Sequence, residues 1–269
     1  MEPGWVPPDI DTTKANIARV YDYWLGGSHN FRADQDVARA MIAVDPNIRA
    51  MMRANRAFLG RAVRYLVREA GIRQFLDIGS GIPTEQNVHE VAQAAASGVR
   101  VVYVDNDEVA VAHSRLMLED NPDATVIQAD LREPAKILAD PETQLLIDFT
   151  QPVALLLLAV LHFVPDEADP AQIMAILRDA VSPGSYLIIC HACRDVRPDT
   201  ADNATTVYTS RVAQLRVRTR DEIAALFDGF TLVEPGLVWI PEWRPDSPAD
   251  MPENPEQFWA LVGVARRDD

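Results

Sequence analysis

The stretch FLDIGSGIPTEQNVHE, residues 75–90, constrains the fold more than any other part of the chain. Phe75, Leu76 and Ile78 read as a buried strand that runs into Gly79 and Gly81 and then, past Pro83, into a polar helical start. A strand, tight turn and helix in that order let a ligand lie against the backbone: glycine leaves room for close approach, and Pro83 suits a first helical turn. Asp77, at the carboxyl end of the strand, points chemistry into the crevice where open α/β sheets bind ligands.

The rest of the chain extends this unit. Apolar runs near 74–78, 99–104, 124–128, 153–158, 185–190, 230–234 and 259–265 alternate with helical stretches near 84–97, 107–119, 131–139, 171–181 and 220–227. The pattern predicts an α/β fold with a Rossmann-like, seven-stranded, mostly parallel sheet. Residues 1–70 read as an N-terminal arm and helical cap: an extended arm over 1–13, then helices over 14–24, 34–44 and 48–67. Residues 71–269 read as the ligand-binding domain, forming one structural unit with the cap. The polar segment 195–219, which carries Tyr208, interrupts the alternation and is placed beside the crevice as an insertion. Residues 235–257, rich in Pro and Trp, have no clear period and are expected to wrap the surface.

Charge narrows the partners. A net charge of −15 argues against a nucleic-acid partner, because phosphate backbones are held by clustered Lys and Arg. The N-terminus has neither a basic start nor an apolar run, and the longest apolar run, residues 153–161, falls short of the ~20 residues that cross a bilayer. A cytoplasmic protein with no membrane partner is the expectation. Cys190 and Cys193 close an apolar run without a second pair, so they read as buried, reduced thiols, and no metal site is expected.

The second strand ends in Asp105, 26 residues after Gly79, where a carboxylate can accept both hydroxyl hydrogens of a ribose. The third leads to Asp130 and Leu131, an acid beside a backbone N–H that suit an adenine edge. Each aspartate alone reads as a helix cap or solvated turn; three at successive strand ends after a glycine turn read as a nucleoside site. Phosphates fit poorly, since no Lys or Arg lies between Phe75 and Ser97 and Thr84 stands where a dinucleotide fingerprint has its third glycine. An adenosine without phosphates points to S-adenosyl-L-methionine, and a nicotinamide oxidoreductase is weakened on the same ground.

DIGSGIPT, VYVDND, LLLAVLHFVPD, VSPGSYLII and TRDEIAALFDGFTLVEPGL resemble the successive motifs of class I S-adenosylmethionine-dependent methyltransferases. ARVYDYWLGGSHNFRAD and the VLHFVPD run resemble, more narrowly, a family of S-adenosyl methyltransferases from high-GC bacteria first catalogued as a domain of unknown function. The likeness runs from about Ile17 to Arg266. It implies that Asp77, Gly79, Ser80 and Gly81 hold the methionine part, Asp105 the ribose, with Asn106 flanking the adenine, and Asp130 with Leu131 the adenine. Pro83 stands at the usual third glycine of the first motif.

Methyl transfer to a small-molecule acceptor is then the expected activity. Against it stands a non-catalytic cofactor sensor or interaction protein on the same fold. His162, following the fourth strand, is the candidate general base or substrate contact, weighed against a histidine that merely packs beside Phe163. Tyr23 is the second catalytic candidate, and Asn30 and Tyr208 are substrate-binding candidates. Tyr21 and Trp24 read as core packing, His89 and His113 as surface residues, and Arg53 and Arg56 as solvated ion pairs.

Overall fold

The computed structural model describes residues 11–84 and 86–268; of the arm expected over 1–13, residues 1–10 lie outside these. Three helices lead: α1 (Ile17–Leu25), α2 (Arg32–Val44) and α3 (Ile48–Arg68). There follow β1 (Gln74–Ile78), α4 (Val88–Ala95), β2 (Arg100–Asp105), α5 (Glu108–Leu118), β3 (Ala124–Gln128), α6 (Pro134–Ala139), α7 (Pro141–Leu146) and β4 (Ala154–Leu158). The second half holds α8 (Pro170–Ala180), β5 (Tyr186–Ala192), α9 (Pro198–Arg211), α10 (Arg220–Ala225), β6 (Thr231–Leu232), β7 (Val238–Trp239) and β8 (Ala260–Arg266).

The strands form a mixed sheet in the order β3-β2-β1-β4-β5-β8-β6, with β7 paired on β8. The first five are parallel; β8 runs antiparallel to β5, with Cys190 opposite Val262. Among the described residues the sheet has eight strands rather than the seven expected, the extra one being the two-residue β7. Alternate side chains feed two cores: Phe75, Val101, Leu156 and Ile188 pack under the cap, while Leu76, Val102, Leu155 and Leu187 pack against α8 and α10 on the other face. Burial on both faces is why these strands read as unbroken apolar runs.

The segment expected as a polar insertion contains α9, whose Ala201, Ala204 and Tyr208 are buried against the cap. Its outer face is Thr, Asp and Asn, which leaves little helical periodicity to read. The 235–257 stretch is more than a surface wrap, because Trp243 is fully buried against Phe58 with ring centroids 5.4 Å apart. Arg61 of α3 secures that stretch, donating Nε to Trp243 O at 2.9 Å and a second guanidinium nitrogen to Ile240 O at 3.0 Å.

The cap is joined to the sheet through Asp45, between α2 and α3. Its carboxylate is fully buried, accepts from Trp259 Nε1 at 2.7 Å and from Asn47 N at 3.1 Å, and pairs with Arg197 at 3.1 Å. Asp45→Ala strands the Trp259 donor, which alone costs roughly 1–3 kcal/mol. Urea unfolding followed by tryptophan fluorescence should show that loss, and Asp45→Asn, which keeps an acceptor, should recover part of it; equal midpoints for all three chains would refute the tie.

Candidate functional site

A cleft of about 330 Å³ opens at the carboxyl ends of β1, β2 and β4, where the strand order reverses. Residues 77–81, Asp105, Asn106, 129–132 and 158–160 form its floor; the start of α1, with Tyr21, Asn55, Arg56 and Leu59, forms its roof. The N-terminus of α1 reaches the cleft because Asn16 caps it, accepting from Ala18 N at 2.7 Å. Asp34, buried at the start of α2, holds that turn by accepting from Asn16 N at 2.8 Å and Phe31 N at 2.7 Å.

The glycine turn is fastened to β2. Gly79 N and Ser80 N both donate to Val104 O, at 2.8 and 3.1 Å, and Gly81 N donates to Asp105 Oδ2 at 2.7 Å. Gly79 has φ +76° and a Cβ there would lie 2.4 Å from Val160 Cγ2, so no side chain fits without moving the loop after β4. The other oxygen of Asp105 accepts from Asp107 N at 2.9 Å.

Two carboxylates face the cleft from deep positions. Burial pushes Asp77 up to about 7, an effect that Arg56 opposes and Asp105 adds to; Asp105 itself is pushed up to about 6 by burial despite its backbone donors. Ser80 Oγ is buried in the same loop with no partner. Asp130 is different: Arg132 grips its carboxylate through the side chain and through its backbone N at 2.8 Å, and these hydrogen bonds hold it below the usual range.

Beyond the cleft, and sharing Ile17, Tyr21, Asn55, Ala159 and Phe163 with it, lies a smaller apolar chamber of about 60 Å³. His162 and Tyr208 line it, with Trp24, Trp259 and Cys190. Burial, reinforced by Arg218, drives His162 down to about 3, so its imidazole is neutral at any ordinary pH. Its Nδ1 is buried without a partner. Arg218 pins the turn that carries it, donating to Leu161 O at 3.0 Å, Val164 O at 3.1 Å and Asp166 Oδ1 at 2.9 Å. Arg216 N adds a bond to His162 O at 2.7 Å.

The cleft thus brings together Asp77, Gly79, Ser80, Gly81, Asp105, Asn106, Asp130 and Leu131, all named above from sequence. Tyr23 and Asn30 line neither space. Tyr23 lies between the guanidinium groups of Arg39 and Arg49, at 5.6 and 5.3 Å, on the opposite side of α1 from Tyr21. Two residues on a helix are ~200° apart, so only one of the pair can face the cleft. Asn30 is spent inside the cap, donating to Asp22 Oδ2 and Gly27 O and accepting from Gln35. Asp22 occupies the space that a Cβ on Gly27 would need, which makes this glycine loop a fold around a buried carboxylate.

Tyr21 takes the place expected for Tyr23: its hydroxyl accepts from Asn55 Nδ2 at 3.0 Å at the junction of cleft and chamber. Arg56, read as solvated, stands over Asp77. The spacing Met52, Asn55, Arg56, Leu59 on one face of α3 carried that signal. His89 is also corrected: it is buried, with Nδ1 2.8 Å from the Tyr103 hydroxyl.

Comparison with known proteins agrees with this geometry. Residues 3–268 match the family model described as S-adenosyl methyltransferase. A candidate methyltransferase from Thermobifida fusca YX superposes with a TM-score of 0.94 at 39% identity, covering 99% of this chain and 100% of that one. A DUF574 family protein from Streptomyces avermitilis MA-4680 gives 0.91 at 40% identity over 96% and 99% of the two chains. Human N-acetylserotonin methyltransferase, at 12% identity and a TM-score of 0.52 over 93% of this chain and 70% of that one, shares the fold alone. No curated protein matches. The chain belongs to the S-adenosyl methyltransferase family, and its cofactor is S-adenosyl-L-methionine.

The raised acids make stability pH-dependent. A carboxyl whose folded pKa exceeds its unfolded value of ~4 binds its proton more tightly in the native chain, so its contribution is full below pH ~4 and is lost as pH rises through 6 to 7. Asp77→Asn should therefore gain unfolding free energy relative to the parent between pH 5 and pH 8 in ligand-free urea titrations; a difference that does not change with pH would contradict the assignment. The His162 ring carbons should keep neutral chemical shifts down to pH 5 by NMR, and a titration near 6.5 would show that the side chain is solvated instead.

Proposed function

We propose that the protein transfers the methyl group of S-adenosyl-L-methionine to a small-molecule acceptor, in the cytoplasm, with the cofactor held in the 330 Å³ cleft. The observation that carries this reading is the pairing of two buried carboxylates, Asp77 and Asp105, with a glycine turn that a Cβ would obstruct. The cleft fits the cofactor on its own evidence: the orphaned Ser80 Oγ supplies a hydroxyl for a polar ligand, and Asp77 supplies the charge that an ammonium would balance. Bound there, the cofactor brings an already activated methyl group on a sulfonium, which a nucleophile displaces directly.

The residues of the chain then have separate tasks. Asp105 orients the ribose hydroxyls while its other contacts keep the Gly81 turn closed. Asp77 and Arg56, one of each sign, face the amino-acid end. Asp130 and Leu131 flank the adenine, with the Arg132 contact fixing the carboxylate. The roof from α1 and α3 excludes water, which lets alignment contribute much of the rate, up to ~7–11 kcal/mol in well-oriented reactions. His162, neutral and held by the Arg218 clamp, stands on the acceptor side as a hydrogen-bonding group for the nucleophile. The net charge of −15 supports an acceptor other than nucleic acid.

Calorimetric titration with S-adenosyl-L-methionine tests the reading. Asp105→Ala should weaken binding about 100-fold or more, since two hydrogen bonds to a charged group contribute ~1.5–3 kcal/mol each; Tyr23→Ala should bind as the parent does. At pH 6.5, titrations in two buffers of different ionisation enthalpy should show proton release, because a cation beside Asp77 lowers its pKa. Equal affinity of Asp105→Ala and parent would sink the cofactor assignment.

A further inference from the structure

Resting on the cofactor site just proposed, the chamber behind it identifies the acceptor by chemistry. No Asp, Glu, Lys or Arg is among the residues that line it. Its walls are aromatic rings, notably Trp24 and Phe163, each tilted against Tyr208 with centroids 6.3 and 5.4 Å apart, together with the thioethers of Met41, Met51 and Met52. Such a surface gains from a flat apolar partner: rings stack on rings, and thioethers adapt to a ring edge. A charged group in the same space would have no counter-ion. The protein has 40 acidic residues and 25 basic ones, so the missing charge is a property of this place and not of the composition.

The wall also carries polar groups with unmet capacity. Asn55 Oδ1 and His162 Nδ1 are buried and have no partner, while Asn55 Nδ2 is committed to Tyr21. Buried polar atoms in native chains are nearly always satisfied, so an unmet pair on the wall of an apolar space is the mark of a ligand group. Asn55 belongs to both the chamber and the cleft, which sets the polar end of that ligand toward the cofactor. We propose that the acceptor is an uncharged aromatic molecule whose ring enters the chamber and whose hydroxyl or N–H group lies at the Tyr21 and Asn55 junction.

The test is binding, measured on the full chain saturated with S-adenosylhomocysteine. Indole and 4-methylphenol serve as neutral probes, with benzoate and benzylamine as charged probes of similar size, in ligand-observed NMR and by calorimetry. The neutral probes should bind saturably, and the charged ones about 100-fold more weakly or not at all, because an unpaired buried charge costs several kcal/mol. Leu215→Trp, which fills the chamber from a position that lines the chamber and not the cleft, should abolish neutral-probe binding and leave S-adenosylhomocysteine affinity unchanged. Binding of S-adenosylhomocysteine with charged probes equal to or better than neutral ones, or neutral binding that survives Leu215→Trp, overturns the acceptor class alone. Failure of the parent chain to bind S-adenosylhomocysteine overturns the cofactor site and this proposal with it.

Discussion

The structure depends on keeping two carboxylates, Asp77 and Asp105, at the buried ends of adjacent strands. Neither can be solvated by moving outward, because β1 and β2 are central in the sheet and covered on both faces. Asp105 is made tolerable by two backbone donors, and one of them, Gly81 N, exists only because the turn after β1 folds back onto β2. That fold-back requires Gly79 to press against Val160, which in turn places the loop after β4. The floor of the cleft is therefore one mutually dependent arrangement of three strand ends. A ligand with hydroxyls and a cation relieves the burial that the chain by itself holds as raised carboxyl pKa values.

Local pattern makes most of this legible in the sequence. The strands near 74–78 and 124–128 fall at those residues in the structure, because a strand buried on both faces is an uninterrupted apolar run. The acids that end the strands stand out for the same reason, as charge at the border of apolar sequence. What stayed hidden depends on direction or on distance. Tyr21 and Tyr23 flank the same residue, Asp22, and only the packing of α1 on α3 decides which one faces inward. Asn55 meets Tyr21 across 34 residues, and the chamber gathers walls from α1, α2, α3, β5, α9 and β8, with no spacing that links them. The two-residue β7 is too short to show a period, and α9 buries alanines, which carry little hydrophobic contrast.

The chamber is rigid for a different reason from the cleft. Arg218 is nearly fully buried, and its guanidinium contacts two carbonyls, Asp166 and His191 Nε2 at once. Since Arg218 donates to Nε2, His191 carries its proton on Nδ1, where it donates to Ala192 O at 2.8 Å. The ring of His162 stands against that of His191, 5.4 Å between centroids at 89°. One buried guanidinium thus sets the backbone of the turn and the tautomer of the ring beside it. Lysine could not substitute, lacking the planar fork that reaches several acceptors together.

The bond between Asp45 and Trp259 spans 214 positions of sequence. During synthesis the roof helices leave the ribosome before any strand of the sheet, and the indole that bonds to them emerges only after β7. Until then the carboxylate between α2 and α3 lacks its indole donor, and the roof is held over the strands by the apolar packing of the cap. Closure of the site is thereby linked to late assembly of the sheet: a nascent polypeptide can form β1 to β4 and the turns between them before the Trp259 indole that locks the roof has been made.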